Sequence, residues 1–516
     1  MTIRKCITAL MTALLPAVMT AESAGDTVRW SGRLLGGGST GEFAPYLIGA
    51  NSGGRHTMKS AFGAEVEIVK ELNLDRRFSW SAGIDVSAIR QPAAEYMLYD
   101  EGVMTDRPWH PARVRLQQLW GIVKWRSVYF KAGMSDHRSP IVDDRLSSGD
   151  LTLSDNARGV PVVEVGLTGF RDIPLTRCWV QIDASIAYGK YTDNGALKGR
   201  FNYYDGHIVL GQLYTYKRIH FRTRTDRPLS VMIGVQAAGA FGGITYFYSR
   251  GKEDLVQKNP SGLKAAWQML FPVRGDNSDG YYEGNHLGTW DFKGRYRLKS
   301  GVDLEGYFQW LWEDGSSMGR RNMTDGLWGI GLTLPGKSPV LKKIIAEYID
   351  FRDQSGALHW SPNDAPGTTI TTEATGGDNY YNNSTFNSWA NYGMGQGSSF
   401  PVSPLYNTDG SLKFRRNRTR GVHVAATGFV SDKFGWTVKF SHGVAWGDGR
   451  RPDPRALKNT SASFGGVWDA SGLVRGLSVS GIVAFDAGKL RGDNFGALVS
   501  VAYSGNFSFN NPSKTF

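Results

Sequence analysis

The chain has 516 residues, 41% hydrophobic, 12% aromatic and 21% charged, with 65 glycines and only two cysteines. That balance excludes disordered and collagen-like chains and brings β-sandwiches and barrels to the front. The 59 Lys and Arg against 47 Asp and Glu leave a net charge of +12 spread along the chain, a general attraction for acidic partners that does not mark a nucleic-acid surface.

Arg4 and Lys5 precede an apolar stretch from Ile7 to Met19, and the small residues Ala21, Ser23 and Ala24 follow. This layout predicts a signal peptide over residues 1–24. The stretch contains Pro16 and is too short to span a bilayer, which takes roughly 20 residues as a helix. Cys6 goes with the peptide, so Cys178 is the thiol left, and a secreted chain of this size needs a source of stability other than an intrachain disulfide. The Gly36-x-Gly38-x-x-Gly41 that comes next has no βαβ unit around it and reads as a flexible turn, not a nucleotide site.

From Phe78 onward the pattern changes. Trp80, Ala82, Ile84, Val86 and Ala88 alternate with Ser79, Ser81, Gly83, Asp85 and Ser87, over the roughly 9–11 residues that cross a membrane as a tilted strand. The alternation returns at Val180, Ile182, Ala184, Ile186 and Tyr188, and at Val302, Leu304, Phe308, Trp310 and Trp312. Further copies lie near 61–70, 114–131, 207–221, 230–241, 287–298, 326–334, 341–351, 421–430, 434–446, 475–486 and 495–509. The polar faces carry full charges, among them Asp85, Asp183, Glu305, Lys343 and Glu347, and the strands begin or end on Trp80, Trp120, Trp125, Tyr188, Trp290, Trp312, Trp328, Tyr348 and Trp436. A closed barrel with a wet lumen, lipid outside and aromatic belts at both interfaces accommodates all of this. No blade-sized repeat supports a propeller instead.

Three stretches break the alternation, at 136–172, 249–275 and 352–420, and long interruptions of this kind serve as plugs or binding surfaces. In the second, Ser261 followed by Leu263, Ala266, Trp267 and Leu270, with Pro272 after, predicts a capped amphipathic helix of about three turns. In the third, Tyr380, Tyr381, Phe386, Trp389 and Tyr392 are interleaved with Asp378, Asn379, Asn382, Asn383, Asn387 and Asn391. Rings beside amides suit a carbohydrate surface, or else a polar loop packed inside the lumen. The basic run Arg415, Arg416, Arg418 and Arg420 suits uronates or phosphates on an outward loop, or anionic headgroups at a strand end. No nucleophile elbow or metal-ligand spacing is present; Asp276, Ser278, Asp279 and Glu283 match a calcium loop only loosely. Asp143 and Asp144 read as a salt-bridged plug before an acid/base pair.

The stretch Leu146-Ser-Ser-Gly-Asp-Leu-Thr-Leu-Ser-Asp-Asn-Ala-Arg158, followed by Val160-Pro161 and an apolar strand, resembles the signature of the capsule-assembly outer-membrane proteins of the Wzi type. The residues that carry it are Ser148, Gly149, Leu151, Ser154, Asn156 and Arg158. The run Asp-Asn-Tyr-Tyr-Asn-Asn at 378–383 resembles a second segment of that family, and Ala346-Glu347-Tyr348 a third. The resemblance implies a transmembrane antiparallel barrel of about 18 strands over residues 25–516, occluded by helical and loop segments, that acts as a non-enzymatic lectin anchoring capsular polysaccharide. The expected polysaccharide-binding residues are Asp378, Asn379, Tyr380, Tyr381, Asn382, Trp389, Tyr392, Arg415, Arg416 and Arg418. The expected partners are capsular or surface polysaccharide and outer-membrane lipid, with no nucleic acid, cofactor or metal, for a monomer in the bacterial outer membrane. The alternative is a selective porin for small acidic solutes or sugars.

Overall fold

The computed structural model describes residues 27–271, 284–313, 315–356, 359–360, 374–375, 377–449 and 451–508. The segment read as a signal peptide, the loose calcium-like residues, Pro272 and the tail to Phe516 lie outside the described residues. The first six wall strands are β1 (Thr27–Phe43), β2 (Met58–Lys70), β3 (Phe78–Arg90), β4 (Val114–Trp125), β5 (Val128–Met134) and β6 (Val162–Leu167). The next six are β7 (Val180–Lys190), β8 (Leu213–Thr223), β9 (Leu229–Phe241), β10 (Asn285–Arg297), β11 (Asp303–Trp312) and β12 (Gly326–Thr333). The last six are β13 (Lys343–Asp350), β14 (Thr419–Ser431), β15 (Phe434–Gly447), β16 (Pro452–Asp469), β17 (Leu477–Gly488) and β18 (Asn494–Ser508). Each pairs antiparallel with its neighbours in sequence, and β1 also pairs with β18 from Thr27–Ser508 through Ser39–Gly496, so 18 strands close into one barrel. Closure pairs the backbone groups that an open edge would leave to hydrocarbon, which supplies the stability that a single thiol cannot.

The period-two faces fall as the alternation requires. Ser79, Ser81, Asp85 and Ser87 of β3 are buried toward the lumen, while Phe292, Phe308 and Trp328, stacked on one another, and Trp310, tilted against Phe308, form an aromatic band on the outer wall. Trp312 departs from the expected belt, because it is buried at its strand end. The Gly36 segment is also corrected: it is not a turn but part of β1. A Cβ on Gly37 would lie 2.4 Å from the Ala497 carbonyl, so this position is glycine because β18 runs so close. The stretch 114–131 divides into β4 and β5, and 207–221 divides between Gly206–Leu210, outside the wall sheet, and β8.

Connections such as 126–127, 224–228 and 432–433 are short and lie at one end with Thr27 and Ser508. The long ones, at 44–57, 91–113, 135–161, 191–212 and 351–418, lie at the other. Short turns on the periplasmic side and long loops on the outer side are the habit of outer-membrane barrels. Residues 136–161 and 377–418 fold into the lumen, whereas 162–167, expected within the first interruption, is wall strand β6. The described part of the stretch 249–275, up to residue 271, is not a plug. Its helix, α1 (Leu263–Leu270), is eight residues long and starts at Gly262 without a side-chain cap, shorter than expected. It lies on the outer wall, where Tyr188 Oη donates to the Ala266 carbonyl at 2.8 Å and Met269 is buried beside Phe241.

Candidate functional site

The three segments that carry the family resemblance meet in the lumen. Glu347 of β13 accepts hydrogen bonds from Ser147 Oγ at 2.6 Å, Ser148 N at 2.9 Å, Ser148 Oγ at 2.7 Å and Tyr307 Oη at 2.7 Å. Gly149 N donates to Ser147 Oγ, and Leu151 N donates to Gln309 Oε1. Asp150 accepts from Ser139 Oγ and from Gln236 Nε2, which also donates to Asp291. A buried carboxylate satisfied this fully binds the chain that satisfies it, because breaking any one bond strands a polar group away from water. Asp143 and Asp144 are divided as expected of a plug: Asp143 pairs with Lys343 at 3.2 Å, and Asp144 accepts from Ser139 N.

The second inward segment locks onto the first. Tyr381 Oη donates to the Leu151 carbonyl at 2.7 Å and Trp389 Nε1 to the Thr152 carbonyl at 2.8 Å, while Ser154 Oγ and Asn156 Nδ2 donate to the Gly397 and Gly395 carbonyls. Trp389 stacks on Tyr214 of the wall. Asp378 and Asn382 are buried, Asn379 is half-buried, and Tyr380 donates to Asp325. Tyr381 and Trp389 are each 1% exposed. The expectation of a stacking platform is therefore corrected for Tyr380, Tyr381 and Trp389: a buried ring has no face to lay against a sugar, and these hold the plug instead.

The basic run is likewise partly spent. Arg415 pairs with Asp409, Arg416 pairs with Asp453 at 3.0 Å, and Arg418 donates to the Arg352 carbonyl at 2.8 Å with its side chain exposed.

Two open spaces flank the plug. A cleft of about 300 Å³ opens among the long connections and is lined by Trp109, His110, Arg115, Arg158 and Tyr392. A vestibule of about 660 Å³ lies toward the short-turn end, with Glu67, Asp136, Arg138, Glu164 and Arg218 on its walls. Arg158 borders both. Its guanidinium lies 4.7 Å over the Tyr392 ring, a cation–π geometry, so Tyr392 is the predicted aromatic that remains half-exposed at an open space. Sequence reasoning missed Trp109 and Arg115. Trp109 ends the hairpin of Ala94–Asp100 and Val103–Trp109, whose alternation is too short and too interrupted by turn residues to stand out.

Near the rim, burial pushes the Asp193 carboxyl up to about 6 and that of Asp325 up to about 7, in each case against hydrogen bonds from backbone amides that pull the other way.

No protein-family model and no curated protein sequence matches the chain. Among solved structures it is similar to Wzi of Escherichia coli, described as an outer-membrane protein involved in group 1 capsule assembly and a carbohydrate-binding β-barrel. The identity is 12% and the TM-score 0.54, over 97% of this chain and 88% of that one. This chain is a closed antiparallel β-barrel of 18 strands. The barrel is also similar to OccAB2 of Acinetobacter baumannii, at 9% identity and a TM-score of 0.46 over 94% and 100% of the two chains. OprD of Pseudomonas aeruginosa gives 9% and 0.43 over 94% and 97%.

Proposed function

We propose that the barrel is a non-enzymatic surface lectin that binds and anchors capsular or surface polysaccharide at its outer end. The observation that carries this reading is the occupied lumen: two inward segments are cross-bonded to each other and to the wall through Glu347, Gln309 and Gln236. A wall spent on holding a plug is a scaffold, and the open aromatic and cationic groups are left at the rim. The likeness to a carbohydrate-binding barrel supports the same reading. Among the predicted residues, Tyr392 and Arg158 border the cleft and Arg418 is exposed, and these are the proposed contacts.

A second reading, a selective porin for small acidic solutes or sugars, is favoured by one observation: Arg158 lines both the rim cleft and the vestibule. Two measurements on the purified barrel separate them. A lectin retains the surface polysaccharide of its source strain and stays nearly silent in a planar bilayer. A porin conducts and retains nothing, and that result refutes the lectin.

A further inference from the structure

The cleft holds two cations without counter-charges. Among the described residues neither Arg115 nor Arg158 has an ion-pair partner. Arg115 spends its donors on neutral acceptors, the Ala112 carbonyl at 3.0 Å, the Gly54 carbonyl at 2.9 Å and Gln91 Oε1 at 2.7 Å, so its charge stays uncompensated. The hydrogen bond that Arg158 makes is to the Met134 sulfur at 3.8 Å, a weak acceptor, and its buried Nε has no hydrogen-bond partner. By contrast Arg55 of the 44–57 connection is answered by Asp85 at 2.6 Å and Glu65 at 3.4 Å. Asp193, the acid that acts on Arg158 electrostatically, is committed to the Tyr392 amide at 3.0 Å and lies beyond ion-pair distance.

A partly buried guanidinium left without an anion is costly, and its fork geometry matches a planar carboxylate with two parallel bonds. The Tyr392 ring holds the Arg158 guanidinium 4.7 Å from its centroid at the cleft. On the same cleft Trp109, braced by Arg200 at 5.2 Å and by the edge of Tyr96, supplies a rigid indole wall for the C–H face of a pyranose. The volume sits at the lower end of the roughly 300–1,000 Å³ of ligand pockets, enough for a short sugar segment and not for a folded chain. We propose that this cleft binds a carboxylate-bearing sugar unit of the polymer, with Arg158 pairing the carboxylate, Arg115 adding charge and Trp109 carrying the ring; the assignment rests on the lectin reading above.

The test uses the full chain in detergent micelles, with D-glucuronate and D-glucose as probes in saturation-transfer NMR. The expected result is a signal for glucuronate and none for glucose. Arg158→Gln weakens glucuronate binding about tenfold or more, since one hydrogen bond to a charged group is worth roughly 1.5–3 kcal/mol. Trp109→Leu weakens it too, Arg158→Lys restores part of it, and added salt weakens it in the wild type. Circular dichroism and the heat resistance of each variant verify that the barrel is intact. Equal uptake of both sugars, or glucuronate binding unchanged in Arg158→Gln, overturns the assignment. Wild-type protein that retains the strain's polymer yet ignores glucuronate also overturns it and leaves the lectin reading standing. Glucuronate bound in the cleft without polymer retention refutes the lectin reading alone.

Discussion

The two halves of the lumen spend the same kind of residue differently. On the side of β9 to β13, inward Gln236, Gln309 and Glu347 are consumed by the plug, while Asp291 is answered by its wall neighbours His220, Gln236 and Gln309. On the side of β2 to β8 the inward groups line the vestibule and the cleft, where Arg158 and Arg115 are left with charge to offer. Inward polarity by itself therefore says nothing about function. What matters is whether another part of the chain has already answered it.

Removing residues 139–158, the part of the plug that reaches the consumed side, is the strongest test of that contrast. The expected outcome is a barrel that still assembles and now conducts steadily in a planar bilayer; a silent variant shows that 377–418 closes the lumen unaided. Next in size, Trp389→Ala should cost about 3–5 kcal/mol of packing, as for other buried Trp truncations. The measure is faster hydrogen exchange through 386–397. Loss of polymer binding without faster exchange would return Trp389 to the surface role expected from the sequence. Glu347→Ala strands Ser148 and Tyr307, at about 1–3 kcal/mol for each buried group left unpaired, and should speed exchange at 146–151 while sparing the cleft.

The effect of pH is smaller and has a definite sign. Asp325 holds its proton to about pH 7 and Asp193 to about pH 6, whereas unfolded carboxyls release theirs near 4. The folded form binds more protons between about pH 4 and 7, so the stability these groups contribute is complete at low pH and is lost as pH rises through 6 to 7. Docking of 352–356 and 377–382 onto the Asp325 loop should tighten from pH 8 to pH 5, read by exchange at Gln354 and Asp353, whose amides meet that carboxylate. Asp325→Asn should flatten the dependence.

Much of the wall was legible, because a strand's two solvents are written into consecutive residues: Asp85 inward and Ile84 outward need no distant information. β1 escaped because Gly36, Gly37 and Gly38 erase the apolar face, and the reason for Gly37 lies in β18, more than 450 residues away. The interior of the site was illegible for the same cause. The aromatic and amide composition of 376–400 is what a sugar surface needs and also what a polar plug needs, and only the Leu151 and Thr152 carbonyls, some 230 residues upstream, decide between them. The Arg158 motif was visible, but its open charge depends on which acids fold nearby.

The seam between β1 and β18 joins the two ends of the described chain along nearly their full length. Until that last partner arrives, every earlier strand belongs to a curled ribbon with two unguarded margins, each a template for a neighbouring molecule. Losing Asn494–Ser508 would therefore not subtract one stave in proportion. It would turn a sealed vessel into an adhesive sheet, and the molecule's integrity is all or nothing at that single join.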